Sequence, residues 1–234
     1  MTTANLATAS YAEMYRDFET IADEARAAAS SARSNPFLTV DGQTDALHAA
    51  DKAQGWTTRV DAIDAELAAR TTRPQKTAED ALHTATDRPT GTDALAAQIR
   101  AQRFWARTKP VLDSKPAAGV LAAAMSLVET ADPADLATTL EELPSYLQAR
   151  GLDGGDVLDA ALYRRLPAMA RGRQDAERAA TMHRSMFGPL IGFARELLSS
   201  VEAPTVPTRS VSKLAQVAEV EARWQTTGAA ATAL

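Results

Sequence analysis

Apolar residues recur every three or four positions along most of the chain, the spacing that gathers side chains on one face of an α-helix. The pattern is densest in MHRSMFGPLIGFARELLSSV, residues 182–201. There Met182, Met186, Leu190, Phe193, Leu197 and Val201 make one row, and Phe187, Ile191, Ala194 and Leu198 make a second beside it. A stripe that wide predicts a central helix touched by several neighbours. Gly188-Pro189 interrupts it: proline has no N–H for the carbonyl four residues back and its ring clashes with the preceding turn, so a kink or a break is expected. The run is long enough to rival a membrane span, but it contains His183, Arg184, Arg195 and Glu196. A charge near the bilayer centre costs several kcal/mol, so the reading is a buried helix with no membrane partner.

Ser10-Tyr11-Ala12-Glu13 fits a capping box and predicts a helix start. Tyr11, Met14, Phe18, Ile21, Ala25 and Ala28 form its stripe before Pro36, and the nine residues ahead of it read as an arm that orders only against something else. Phe37-Leu38-Thr39-Val40 is a strand-like fragment too short for a sheet, and reads as an extended connector whose Phe37 and Leu38 plug a neighbour. Thr44 is the expected cap of a second helix with Leu47, Val60, Ile63 and Leu67, weakened at Gly55. Thr72-Arg73-Pro74 opens a short helix through Leu82, which Arg88-Pro89-Thr90-Gly91 closes.

Thr92 caps the next helix, with Leu95, Ile99 and either Trp105 or Ala106 inward, ending before Pro110. Residues 116–131 are almost uncharged and are expected to pack on the 182–201 helix. Asp132-Pro133-Ala134-Asp135 is a restart signal, with a capping acid, a proline at the first helical position and a second acid facing the positive end of the dipole. Leu136, Leu140 and Leu143 form that stripe before Pro144, Gly151 is a left-handed stop, and Val157 to Leu166 form another helix before a turn near Pro167 and Gly172. EAPTVPTR, residues 202–209, reads as a linker stiffened by two prolines. A last amphipathic helix with Leu214, Val217 and Trp224 follows, and then a low-complexity end from Gly228.

The predicted fold is all-α, an irregular multi-helix bundle in three segments. Residues 1–91 form an alanine-rich helical N-terminal region, 92–201 the main bundle, and 202–234 a linker, a terminal helix and a tail. Composition agrees: about a fifth of the 234 residues are alanine and only 5% are aromatic. That favours closely spaced helices over a sandwich of β-branched side chains.

The formal charge of −5 conceals blocks of opposite sign. Residues 116–163 carry one Lys or Arg against eight Asp and Glu, whereas 164–200 carry seven against three. Such blocks attract one another within a fold or between copies. With no cysteine, disulfides, thiolate metal sites and a cysteine nucleophile are excluded. The start of the chain lacks the basic and apolar regions of a secretion signal, so the expected location is intracellular (cytoplasmic) or within an assembled particle.

Chemistry is sparse. Asp45/His48 and Asp80/His83 each place a carboxylate and an imidazole three apart on a helix, but Asp-Ala-Leu recurs at Asp93 without a histidine. Aspartate near a helix start followed by two helix formers explains all three copies, so no metal site is expected. His183 reads as a surface partner, and no nucleophile, calcium-loop or phosphate-loop motif occurs. No catalytic residue and no cofactor are assigned. Two basic clusters offer a nucleic-acid surface: Arg100, Arg103, Trp105, Arg107 and Lys109, and then Arg164, Arg165, Arg171 and Arg173.

By elimination, the chain reads as a non-enzymatic structural or interaction subunit of a larger protein assembly, of the kind found in virus particles (virions, phage-like). Its partners are then copies of itself, as an oligomer, or other protein subunits. Leu214, Val217 and Trp224 are the expected partner contact, since a linker holds their helix away from the bundle and an isolated helix is marginal in water. A nucleic-acid-associated regulatory protein is the first alternative. An enzyme whose site is scattered through the sequence is the second.

Overall fold

The computed structural model describes residues 6–199, 201 and 213–231, with side chains to residue 225. The helices are α1 (Tyr11–Arg33), α2 (Val40–Gln54), α3 (Trp56–Thr86), α4 (Ala94–Asp113), α5 (Ala117–Thr130), α6 (Pro133–Ala149), α7 (Gly155–Arg165), α8 (Pro167–Met182), α9 (Gly188–Ser199) and α10 (Leu214–Ala231). A 3₁₀ turn, Gly91–Asp93, precedes α4, and a π-helical turn, His183–Phe187, precedes α9. The described residues contain no strand, and the fold is an all-α helical bundle. No described helix is long and apolar enough to cross a membrane.

Two compact units divide the chain: Met1–Thr71 with Glu177–Leu234, and Thr72–Ala176. The expected cuts after residues 91 and 201 fall elsewhere, because the first unit is built from both ends of the chain. Within α3, Val60, Ile63 and Leu67 belong to one core and Ala78 to the other.

In the first unit α1 packs against α2, α9 and α10, and so takes the central place expected for residues 182–201. The capping box forms as read. Ser10 Oγ accepts the Glu13 N–H at 3.1 Å while the Glu13 carboxylate accepts the Ser10 N–H at 2.7 Å. The Ser10 N–H, and after it the Ser10 hydroxyl at 3.1 Å, donate to the Glu13 carboxylate and hold its pKa below the ordinary value. Met14, Tyr15, Phe18, Ile21 and Ala25 are buried in the core of the unit, with Phe187 at its aromatic centre within 6.2 Å of the Tyr11, Tyr15 and Phe18 rings. Leu6 and Ala9, read as part of a loose arm, lie in this core, and the Arg70 guanidinium binds both of their carbonyls.

Both apolar rows of residues 182–201 reach the core: Phe187, Ile191, Ala194 and Leu198 of the second are buried, as are Met182, Leu197 and Val201 of the first, whereas Met186, Leu190 and Phe193 are only partly buried. A π turn leads into α9: Gly188 N–H reaches back five residues to the His183 carbonyl, and the wider loop admits Pro189 without ending the helix. Other start and stop signals are overridden by packing. Thr39, and not Thr44, caps α2; Gly55 ends that helix with φ 69°; and Pro74 lies inside α3 instead of opening a new helix. Phe37 plugs nothing: it is 93% exposed.

In the second unit Leu112, Val120, Ala124, Val128, Leu136, Leu143, Leu147, Ala161, Leu162 and Met169 form the core, with α5 against α7 and α4 against α6. The 116–131 segment expected on the 182–201 helix serves this core instead. Gly151 ends α6 with φ 67°, and the Leu152 N–H returns to the Leu147 carbonyl at 2.9 Å, a left-handed stop as read. Pro110 and Pro144 both lie inside helices read as ending before them. Gly172, read as a turn, sits within α8, where a Cβ would fall 2.6 Å from the Pro74 carbonyl oxygen. Two helices meet there at a distance that only glycine allows.

Candidate interaction surface

The two sites proposed from sequence meet different fates. Val217 of α10 is fully buried in the core of the first unit, and Leu214 and Trp224 pack against that core. Trp224 meets the Tyr11 ring edge-on at 6.2 Å, and the Glu221 carboxylate accepts the Tyr11 and Ala12 N–H groups at 3.1 and 3.3 Å. Those N–H groups open α1 and have no partner within their own helix, so an acid from α10 caps the central helix. Burial here raises the Tyr11 pKa above its ordinary 10.0. The face expected to seat a partner is thus covered by the protein's own chain, and the linker invoked to hold it away lies outside the described residues.

The basic clusters are partly spent on internal pairing. Arg100 chelates Asp135 at 2.9 and 3.1 Å, which raises the arginine's pKa further. Arg164 pairs with Glu129 at 3.0 Å, and Arg165 donates to the carbonyls of Glu129 and Ala131 at the end of α5, the negative end of that helix's dipole. Arg173 donates to the Tyr163 hydroxyl at 3.1 Å and stands 4.0 Å from Asp159. Trp105 is half-buried and meets Tyr146 edge-on at 5.9 Å. The Tyr146 hydroxyl donates to Asp113 at 2.8 Å, and its pKa is raised by burial and by this bond. Arg103, Arg107, Lys109 and Arg171 remain exposed.

Sequence reasoning missed the most open feature of the second unit, which is α4 itself. Among the described residues its single buried side chain is Leu112, while Leu95 is 66% exposed, Ile99 40% and Val111 57%. The helix was read with Leu95 and Ile99 inward. The other face wins because Arg100 is drawn to Asp135 and Trp105 to Tyr146, which sets Trp105 and Leu112 against the core. From Ala94 to Leu112 there are four cations and no acid, so the exposed face joins apolar to cationic groups.

A leucine-lined groove opens elsewhere on the same unit. Leu82, Leu140, Leu147, Leu152, Leu158 and Leu162 line about 720 Å³, together with exposed Asp153 and Asp159. Its floor is tight: a Cβ at Gly154 would fall 2.4 Å from Leu147 Cδ1.

In the first unit, His183 Nε2 lies 2.8 Å from Asp64, which also binds Arg195 at 3.0 Å. This ion-pair group joins α3 to the π turn and α9. His48 and His83 are exposed, and no group of three or more His, Cys, Asp and Glu side chains among the described residues is placed to hold a metal ion.

Compared with protein-family models, curated proteins and solved structures, the chain matches none.

Proposed function

We propose that the protein is a non-enzymatic interaction subunit of a larger protein assembly. The observation that carries this is the outer face of α4, where Leu95 and Ile99 stand in solvent one helical turn apart, followed by Arg103. Single exposed apolar residues are ordinary on any protein. Two on adjacent turns of a helix, continued by cations, form the stripe an amphipathic helix offers to a protein groove. The charge blocks add polar complementarity. The nucleic-acid reading is weaker, since Arg100, Arg164, Arg165 and Arg173 already serve internal partners.

The test is the size of the protein in an extract of its native source. The chain should migrate well above its own 24.9 kDa, and a Leu95→Glu/Ile99→Glu variant with unchanged circular dichroism should migrate as a monomer. Migration of the unaltered chain at monomer mass, or no effect of the variant, would overturn the reading.

A further inference from the structure

Resting on that reading, we propose that the occupant of the leucine groove is α4 of a second copy, docked through Leu95, Ile99 and Arg103. The two surfaces are complementary in chemistry. The donor is a helix of 20 residues, about 30 Å long, with apolar and cationic groups on its open face and no acid from Ala94 to Leu112. The acceptor is an apolar trough whose lining includes Asp153 and Asp159, the latter 4.0 Å from Arg173 and still 55% exposed, in a stretch where Asp153, Asp156 and Asp159 recur with no Lys or Arg before Arg164. Its volume, about 720 Å³, admits several side chains from one helix face but not a folded domain. The alternative occupant within the chain, α10, is committed to the core of the other unit through Val217.

Donor and acceptor are different surfaces of one unit, so the contact is heterologous, and successive copies add head to tail until a ring closes or a filament grows. A single helix in a groove is small beside the roughly 1,600 Å² of a standard interface, so each contact is weak and the assembly depends on concentration. Salt weakens it further, because the charges that orient the helix are solvent-exposed.

Light scattering on the purified full-length chain over a range of concentrations tests this. The average mass should rise above 24.9 kDa with concentration and fall back with added salt. Arg103→Glu/Arg107→Glu and Asp153→Lys/Asp159→Lys should each remain monomeric. All four substitutions in one chain should associate again, because like charges no longer oppose one another; these positions are exposed, and circular dichroism verifies each fold. A second pair, Leu95→Glu/Ile99→Glu and Leu158→Glu, separates the geometries: mixed one to one, they retain one intact donor and one intact acceptor and should stop at a dimer. A mixture that stays monomeric while the unaltered chain associates would overturn the heterologous contact. An unaltered chain that is monomeric at every concentration would overturn the second copy as occupant. If the same chain migrated in extracts as a large species dependent on Leu95 and Ile99, the interaction reading would stand with a different partner.

Discussion

Replacing glycine by alanine inside a helix ordinarily stabilises it by about 1 kcal/mol, because alanine loses less backbone freedom on folding. Two glycines here should answer the same substitution with opposite signs. Gly192 is exposed on α9, and among the described residues nothing lies within 4 Å of where its Cβ would stand. Gly192→Ala should therefore realise the gain, about 0.5–1 kcal/mol. At Gly172 of α8 the new Cβ would lie 2.6 Å from the Pro74 carbonyl oxygen and 3.0 Å from both the nitrogen and Cβ of Ala78. Carbon-to-carbonyl contacts begin near 3.3 Å, so the crossing must open by about 0.7 Å. The obstacle is main chain and cannot swing aside as a side chain would. It is also the carbonyl and amide pair of the α3 turn that follows Pro74, next to a turn already short of the hydrogen bond that proline cannot donate.

Overpacking costs about 1–3 kcal/mol, and an obstacle made of main chain belongs in the upper part of that range, about 2–3; less the gain of about 1, Gly172→Ala should lose about 1–2 kcal/mol from the Thr72–Ala176 unit. Urea denaturation followed by hydrogen exchange with peptide-level resolution would locate each change. Trp105 is the one tryptophan in the sequence of the affected unit, with Trp56 and Trp224 in the other. If both substitutions moved stability in the same direction, or Gly172→Ala were neutral, the close crossing of α3 and α8 would be refuted.

Val217→Ala should lower the stability of the first unit by about 1–3 kcal/mol, read from a melting curve, because two buried methyl groups are removed from a site with no exposure. A change inside about 0.5 kcal/mol would place α10 away from that core. Ser10→Ala should cost about 1 kcal/mol through the lost cap, measured by denaturant titration. The Glu13 carboxyl has a folded pKa below its ordinary 4.5, so its contribution is fully present above that value and is lost as pH falls through the folded value. Glu13→Gln should flatten that acid limb, and an unchanged limb would remove Glu13 from the cap.

Three boundary signals were legible from local chemistry, whereas those at Thr44, Thr72-Arg73-Pro74 and Thr92 were not, and the Asp132 side chain makes no cap bond. The Ser10 capping box, the Asp132-Pro133 restart and the Gly151 stop depend on neighbours within four residues, and the structure forms a helix boundary at each. What failed was the assumption that a proline ends a helix. Pro74, Pro110 and Pro144 all lie inside helices whose two sides are held by packing, and burial of side chains such as Ala78, Leu112 and Leu143 outweighs one missing hydrogen bond. The π turn before Pro189 could not be read from periodicity, since one wider loop that absorbs a proline leaves the spacing of apolar residues unmarked. The division into units was equally hidden, because joining the two ends of the chain into one core leaves no mark on composition.

The face expected to be open on α10 packs into the core, and the open apolar face lies on α4. Apolar residues on α10 and α4 look alike in sequence, yet one face is buried and the other open. What separates them is the partner each charge finds. Glu221 reaches the unsatisfied N–H groups of α1 and turns its helix face into the core, whereas Arg100 reaches Asp135 from the side of α4 and leaves Leu95 and Ile99 outward. The charge blocks follow the same logic. Residues 116–163 and 164–200 neutralise one another through Arg164 with Glu129, the Arg165 guanidinium on the last carbonyls of α5, and Arg173 beside Asp159. Cations at Arg103, Arg107 and Lys109 on α4, and Asp153 in the lining of the leucine groove, remain exposed after that internal pairing, and Asp159 in the same lining keeps 55% of its side chain exposed beside Arg173. In the proposed contact a second copy brings the two sets together with apolar surface between them, and the charges left over from folding orient association.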